Sequence, residues 1–561
     1  MTKHTKPRHN IPTLKSPLEI KTLPEMIELS VNVNEGNTAF LIPREGRLHQ
    51  LTYAEVLERI RKMSRYLKEL GLEKGDHIAI LGENRPEWGI SFFAVSWIGA
   101  VAIPLDARGS LESHKFILEY SSCKAVITSG GYYKGLRTIL DELSTLKHLI
   151  LMEQMDDICS KYSEGVPSEK ISTDDLLEIL FTSGTTGDPK GVMLSHGNVM
   201  SNVSDIYRII EYSPEDRAFS ILPIHHCYEC TGGLISTFSS GMSVFYARGL
   251  KPRELLEDLK TAKPTIWLNT PLLLEKLYLR IEKELAGQKG LKKFITKALP
   301  NSIIGKKIRQ NLGLERSRLI VSGGAALPAW ISEGYKKFGL DVTQGYGLSE
   351  ASPLISVNPP RKPKSGSIGM VIPSDEVEIR DVDSEGNGEI VARGPNIMKG
   401  YYNNPRATKE TITDDGWLLT GDIGYFDEDG YLYITGRKKF VIVTKGGKNI
   451  FPEEIEEKLT KSIYIEEALV FSPNDKDIQA IIYPNFDEIE NKFESVGDSI
   501  TQERIRQFLR SEVRNINRSL EAYKKVRDFT IRLEEFPKTT TRKIKRFLFK
   551  NHEIKSDPKN I

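Results

Sequence analysis

Behind the pair Thr52 and Glu55, apolar residues recur at Val56, Ile60, Met63, Leu67 and Leu70, and Gly71 ends the run. That spacing predicts an amphipathic helix, opened by a capping box in which threonine and glutamate satisfy each other's free amides. Ile78-Ala79-Ile80 and Ala125-Val126-Ile127 are apolar runs too short for helices and read as buried strands. The longest apolar stretch, Gly89 to Leu105, is interrupted by Ser96, Gly99 and Pro104. It is too short and too broken to cross a membrane, and reads as a buried helix followed by a strand at Val101-Ala102-Ile103. Strands alternating with helices through the first few hundred residues predict an α/β architecture, with sheets covered by helices.

The texture changes between about residues 366 and 436. Short strands are separated there by turn-rich segments, Asp383-Ser384-Glu385-Gly386-Asn387-Gly388 and Asp427-Glu428-Asp429-Gly430. These predict a β-rich subdomain built of hairpins. Beyond Gly436 come the basic residues Arg437-Lys438-Lys439, then an expected strand at Val441-Ile442-Val443. The remainder reads as a small α+β unit whose clearest helix presents Ile505, Phe508, Leu509, Val513, Ile516 and Leu520 on one face. The expected division is a large N-terminal domain over residues 1–438 and a small C-terminal domain over 439–561, with a hinge near Lys439.

A chain of 561 residues is too long for one core. Its 39% hydrophobic and 27% charged residues suit a soluble enzyme, and a net charge of +2 argues against a nucleic-acid partner. Lys3, Lys6 and Arg8 have no apolar run behind them, so no secretory leader is expected and the location reads as cytoplasmic. Four cysteines argue against a disulfide framework. His225-His226-Cys227-Tyr228-Glu229-Cys230 resembles half of a zinc site but lacks a second ligand pair, and reads as a pocket wall.

The chemistry concentrates between Thr182 and Gly191, where ten residues hold four hydroxyls, three glycines and one lysine. Small residues let the backbone wrap a ligand, consecutive amides form an anion-binding concavity, and Lys190 adds a positive charge. The expected guest is a polyphosphate. Apolar runs Ile179-Leu180-Phe181 and Val192-Met193-Leu194 predict strands on both sides. The Walker pattern fails, since it needs Gly-Lys-Ser/Thr leading into a helix and the chain has Pro189-Lys190-Gly191. Elsewhere, Gln344-Gly345-Tyr346-Gly347-Leu348-Ser349-Glu350 sets an aromatic face beside glycines with a carboxylate four residues on, suited to a purine and a magnesium ion. Ser322-Gly323-Gly324-Ala325 is a second close-approach segment, and Asp422 could accept hydrogen bonds from ribose hydroxyls or simply occupy a turn.

In this order, and together with Gly394–Pro405, Gly416–Asp422 and Gly436-Arg437, these motifs resemble the acyl-adenylate-forming superfamily over roughly Thr52 to Lys545. The superfamily comprises acyl-CoA synthetases, peptide-synthetase adenylation domains and beetle luciferases. The resemblance implies a two-step reaction: a carboxylate attacks the α-phosphate of ATP to give acyl-AMP and pyrophosphate, then a thiol, commonly that of coenzyme A, displaces AMP. It implies that Thr182, Ser183, Gly184, Thr185, Thr186, Gly187 and Lys190 hold the phosphates, with Glu350 and Thr185 on Mg²⁺. Tyr346 would stack on adenine, and Asp422 and Arg437 would hold the ribose. Gly323, Gly324, Gln344, Gly345, Gly347 and Ser349 would complete the ATP site. Lys543, in Pro537-Lys538-Thr539-Thr540-Thr541-Arg542-Lys543-Ile544, would bridge carboxylate and α-phosphate. The small domain would be mobile, swinging about Lys439 to bring Gly446 and Gly447 to the thiol arm.

Two positions depart from the family pattern: Arg542 stands where glycine usually precedes the catalytic lysine, and His225 stands where an aromatic residue usually precedes the histidine matched by His226. The resemblance implies a catalytic role for His226, at the acyl entrance, alongside Lys543 and Glu350. The runs Leu222–Thr231 and Gly447–Glu456 look most like long-chain fatty acyl-CoA synthetases, with an acyl carrier protein as the alternative acceptor, another carboxylic acid as the alternative substrate, and a non-catalytic nucleotide-binding scaffold as the alternative of another class. The basic, partly apolar tail Lys543–Lys550 reads either as a packed C-terminal helix or as a peripheral contact with an anionic membrane face.

Overall fold

The computed structural model describes residues 10–15, 18–165, 170–183, 189–286, 301–443, 449–473, 477–494, 501–538 and 544–549. The amphipathic helix spans Tyr53–Glu69, and its capping box closes as expected: Glu55 N donates to Thr52 Oγ1 at 3.2 Å and Thr52 N to Glu55 Oε2 at 2.7 Å. The apolar stretch after it forms the helix Pro86–Trp97, buried at every position but Glu87, and the strand Val101–Leu105. A helix apolar on all sides has no solvent face to offer, so it lies between layers. Among the described residues no helix is long and apolar enough to cross a membrane.

Two large mixed sheets frame that layer. One runs, edge to edge, through Met370–Val371, Leu354–Val357, Val342–Gly347, Leu319–Ser322, Ile266–Asn269, Arg217–Ser220, Ser243–Tyr246, Thr38–Arg44 and Arg47–Thr52. The other runs through Gly400–Tyr401, Pro189–Ser195, Leu176–Ser183, Val101–Leu105, His77–Leu81, Ala125–Thr128 and His148–Leu151. Their facing sides share a core in which Ile78, Ile80, Val192 and Leu194 of one sheet join Val244, Leu268 and Val321 of the other around Phe92, Phe93 and Trp88. Helices Pro252–Ala262 and Ala329–Lys337 help to cover the outer face of the longer sheet, over Trp267 and Ile320.

A separate antiparallel sheet, Glu376–Arg380, Gly388–Arg393, Leu418–Phe426 and Leu432–Arg437, uses the two turn-rich segments as hairpin loops. Not every strand in this stretch belongs to it. Met370–Val371 extends the longer mixed sheet and Gly400–Tyr401 the shorter one, so the β-rich region is sewn into both neighbours. The strand expected at Val441–Val443 is reduced to Ile442–Val443, because Lys438–Phe440 is taken up in a 3-10 turn. Past it, strands Ile465–Phe471, Ile478–Pro484 and Val526–Ile531 pack on helices Pro452–Thr460 and Gln502–Asn517 around Ile455, Leu509 and Val513. The chain is thus an α/β protein with a large sheet-containing N-terminal part and β-rich elements.

Candidate active site

Leu176–Ser183 and Pro189–Ser195 pair antiparallel, with Thr182 opposite Lys190 and Ser183 opposite Pro189. This is a strand–loop–strand hairpin, which separates it from the Walker loop by construction. Thr182 and Lys190, both half-buried, stand at its mouth. Gly184, Thr185, Thr186 and Gly187 lie outside the described residues. Beneath the mouth the same strand carries Glu178, fully buried, with neither carboxyl oxygen hydrogen-bonded among the described residues. Burial pushes that carboxyl up to about 8.

The expected nucleoside residues come from two sheets and meet. Tyr346 Oη donates to Asp422 Oδ2 at 2.6 Å, and Arg437 Nε lies 2.6 Å from Asp422 Oδ1. The register explains the second contact, since Asp422 and Arg437 face each other across an antiparallel pair. Burial and the adjoining Asp422 carboxylate raise the Tyr346 phenol far above its usual range, so it stays a donor. Gln344 and Gly345 lie on the same strand as Tyr346, Val342–Gly347. Gly347 cannot carry a side chain, because a Cβ there would sit 1.9 Å from the Pro353 carbonyl oxygen. At Gly323 a Cβ would meet the Tyr228 ring at 2.9 Å, and Gly324 follows with φ 82°. Tyr228 is pinned by its hydroxyl, which donates to the Val321 carbonyl at 3.0 Å.

Glu350 opens a second cluster. Its Oε1 accepts from Tyr401 Oη at 2.7 Å, and Lys190 Nζ lies 4.9 Å from the centre of the Tyr401 ring. Glu350 Oε2 has no hydrogen-bond partner among the described residues, and an open carboxylate oxygen suits a hard cation such as Mg²⁺. The turn after Glu350 is clamped: Asn396 Nδ2 donates to the carbonyls of Ala351 at 3.1 Å and Leu354 at 2.9 Å, and Met398 N donates to the Glu350 carbonyl at 2.9 Å. Ser349 joins the histidine segment through Cys227, whose Sγ lies 3.5 Å from Ser349 Oγ.

His226 leads into a wide helical turn, Tyr228–Ile235, and its ring lies 5.8 Å from that of His225. His225 Nε2 is 3.7 Å from Asp106 Oδ1, yet burial drives this imidazole down to about 3. Burial thus favours the neutral ring over an ion pair with Asp106. Cys227 and Cys230 are buried free thiols, and no group of His, Cys, Asp or Glu among the described residues is arranged to hold a metal.

Of the residues expected from the C-terminal part, Lys439 sits in the 3-10 turn Lys438–Phe440, while Gly446, Gly447, Arg542 and Lys543 lie outside the described residues. The tail that could have been a helix is not one over its described length. Ile544 bridges to Lys538 and only Arg546–Leu548 makes a 3-10 turn. Tertiary partners hold it instead: Arg546 pairs with Glu456 and its guanidinium lies over the Phe440 ring at 5.0 Å, while Phe549 packs on Phe536 at 5.3 Å.

Tyr401 and Asn396 lie in the segment Gly394–Pro405, where the sequence alone assigns neither a role nor a partner. Tyr228 is legible only as a member of the metal-like cluster and of the Leu222–Thr231 run, and Glu178 carries no signal in the sequence. For Tyr401 and Asn396 the available signal was their place in a recognised motif.

The arrangement has counterparts. The model of the AMP-binding enzyme family matches residues 27–402, two thirds of the chain. The chain belongs to that family. Among curated proteins it is 29% identical to the long-chain-fatty-acid–CoA ligase FadD15 of Mycobacterium bovis, over 90% of each chain. It is 26% identical to the long-chain-fatty-acid–[acyl-carrier-protein] ligase AEE15 of Arabidopsis thaliana, over 88% of this chain and 80% of the relative. Among solved structures, the anthranilate CoA ligase AuaEII in complex with anthranoyl-AMP shares the fold, with a TM-score of 0.78 and 22% identity over 94% of this chain and 96% of that one. The protein is accordingly an AMP-forming acid–thiol ligase that works through an acyl adenylate, with ATP and Mg²⁺ as its cofactors. The residues present fit these groups: an aromatic, acidic and basic triad for a nucleoside, an open carboxylate for a cation, and a lysine at the mouth of a hydroxyl-rich loop.

Proposed function

We propose that the protein activates a long-chain fatty acid as acyl-AMP, releasing pyrophosphate, and transfers the acyl group to coenzyme A. The observation that carries the adenylating step is the convergence of Glu350, Tyr401 and Lys190, with Glu350 four residues along the chain from Tyr346 of the Tyr346–Asp422–Arg437 triad. In this reading Thr182, Ser183, Gly184, Thr185, Thr186, Gly187 and Lys190 take the β- and γ-phosphates, and Glu350 with Thr185 takes Mg²⁺. Tyr346 packs on the adenine within the pocket completed by Gly323, Gly324, Gln344, Gly345, Gly347 and Ser349. Asp422 and Arg437, already locked together, orient the ribose without further ordering cost. His226 stands at the acyl entrance. Lys543 brings a cation to the point where carboxylate and α-phosphate must approach each other. Residues 1–438 and 439–561 are the two moving bodies, Lys439 is the hinge, and Gly446 and Gly447 line the path of the thiol arm.

The fatty acyl chain and coenzyme A are supported by the likeness to FadD15 along nearly the whole chain. Transfer to a carrier protein is the second reading, favoured by the likeness to AEE15. The deciding experiment offers acids from C2 to C18 with ATP and Mg²⁺, and either coenzyme A or a phosphopantetheinylated carrier protein as acceptor. Release of AMP with long acids and thioester only on coenzyme A supports the proposal. Preference for short or aromatic acids, or acylation of the carrier alone, overturns it.

A further inference from the structure

We infer that Tyr401 is a positioning residue that ties the magnesium carboxylate to the phosphate-loop lysine before nucleotide arrives. The inference rests on the reading of Glu350 as a Mg²⁺ ligand and adds a residue to which no role was assigned.

Tyr401 is 7% exposed, and its short strand pairs with Val192 and Met193 in the second strand of the phosphate hairpin. One side chain thereby reaches two elements of the site. Its hydroxyl donates to Glu350 Oε1 at 2.7 Å, and its ring face lies 4.9 Å from Lys190 Nζ. Its own backbone is anchored, since Tyr401 N donates to Thr408 Oγ1 at 2.9 Å. An ordinary phenol keeps its proton near neutral pH, so the hydroxyl is a donor to the carboxylate.

A carboxylate is free to turn about its last bond. A donor fixed on Oε1 stops that rotation and leaves Oε2 facing outward, where a cation can take it. Hydrogen bonds to an ionised acceptor are the strong kind, so the orientation is held firmly. On the other side, the ring holds the ammonium by a cation–π contact that a polyphosphate readily outcompetes. The lysine is therefore kept on the ring face until the nucleotide arrives. Without the ring, Lys190 loses the contact that holds it there, and ordering it becomes a cost of binding the nucleotide.

The test measures binding, not turnover. The probe is α,β-methylene ATP, which cannot release pyrophosphate, titrated calorimetrically over a series of Mg²⁺ concentrations and in EDTA. Tyr401→Phe keeps the ring and loses the hydroxyl. It should raise the half-saturating Mg²⁺ concentration about tenfold, the scale of one charge-assisted hydrogen bond, and leave the Mg²⁺-free affinity unchanged. Tyr401→Leu also removes the ring and should weaken the Mg²⁺-free affinity roughly two- to fivefold. A merely structural tyrosine would lower both affinities together in both variants. Glu350→Gln calibrates the series. If it shifts the Mg²⁺ requirement and Tyr401→Phe does not, the role of Tyr401 is refuted and Glu350 keeps its own. If Glu350→Gln has no effect either, the metal site is elsewhere and both fall.

Discussion

Replacing Glu178 by glutamine should stabilise this protein, and by an amount that grows with pH. Glu178 is fully buried in the strand that leads to the phosphate hairpin, opposite Leu194 and Ala102, and neither of its oxygens is hydrogen-bonded among the described residues. Burial raises its carboxyl from 4.5 to about 8. Between those values the native protein keeps a proton that the unfolded chain releases. The parent protein therefore loses stability as pH rises through that window, and the loss is complete above about 8. Glutamine is neutral at every pH and has no such dependence. Each pH unit carries about 1.4 kcal/mol, so the gap between variant and parent should be under about 1 kcal/mol at pH 5 and about 3 kcal/mol at pH 7. Scanning calorimetry of both proteins at pH 5, 6, 7 and 8 reads the difference directly, because every other titrating group is common to both. A variant whose unfolding temperature pulls ahead by several degrees as pH rises confirms a protonated, unsolvated carboxyl. A gap that stays flat or closes refutes it and means that Glu178 is ionised in the folded state.

Three further outcomes are expected. Lys543→Ala should cut acyl-AMP formation on the order of 10²–10³-fold and spare thioester formation from supplied acyl-AMP, and equal loss of both half-reactions contradicts the assigned role. Lys439→Pro should slow the second half-reaction selectively, since proline fixes φ at the turn Lys438–Phe440, and unchanged thioester formation rejects a hinge there. Gly347→Ala should weaken ATP binding at least about tenfold, because its Cβ has no room beside Pro353, whereas Gly131→Ala, with open space around it, should leave binding unchanged; equal affinities would place the nucleotide away from this turn.

The helix Tyr53–Glu69 and the phosphate hairpin were legible in the chain because each declares itself locally, one by capping and 3.6-residue spacing, the other by apolar runs around a small-residue loop. The strands Met370–Val371 and Gly400–Tyr401 were not, since two residues have no periodicity and their partners are distant in sequence. Tyr401 was missed for the same reason: its hydroxyl reaches a carboxylate 51 residues away. Glu178 carries no local signal, since charged residues flanking an apolar run are mostly exposed. Here the strand is covered by neighbours on both sides, so the carboxyl is buried. The tail misled in the opposite sense, because alternating basic and apolar residues satisfy a helix equally well, and Glu456, Phe440 and Phe536 draw it into a turn.

The claim on which all this depends is that a carboxylic acid attacks the α-phosphate of ATP. Incubating the purified protein with Mg²⁺, ATP labelled at the α-phosphate and a long-chain acid, without any thiol, tests it directly. Labelled acyl-AMP and stoichiometric pyrophosphate, both absent when the acid is withheld, are the predicted result. Formation of ADP and orthophosphate, or of no labelled adenylate with any acid from C2 to C18, contradicts it.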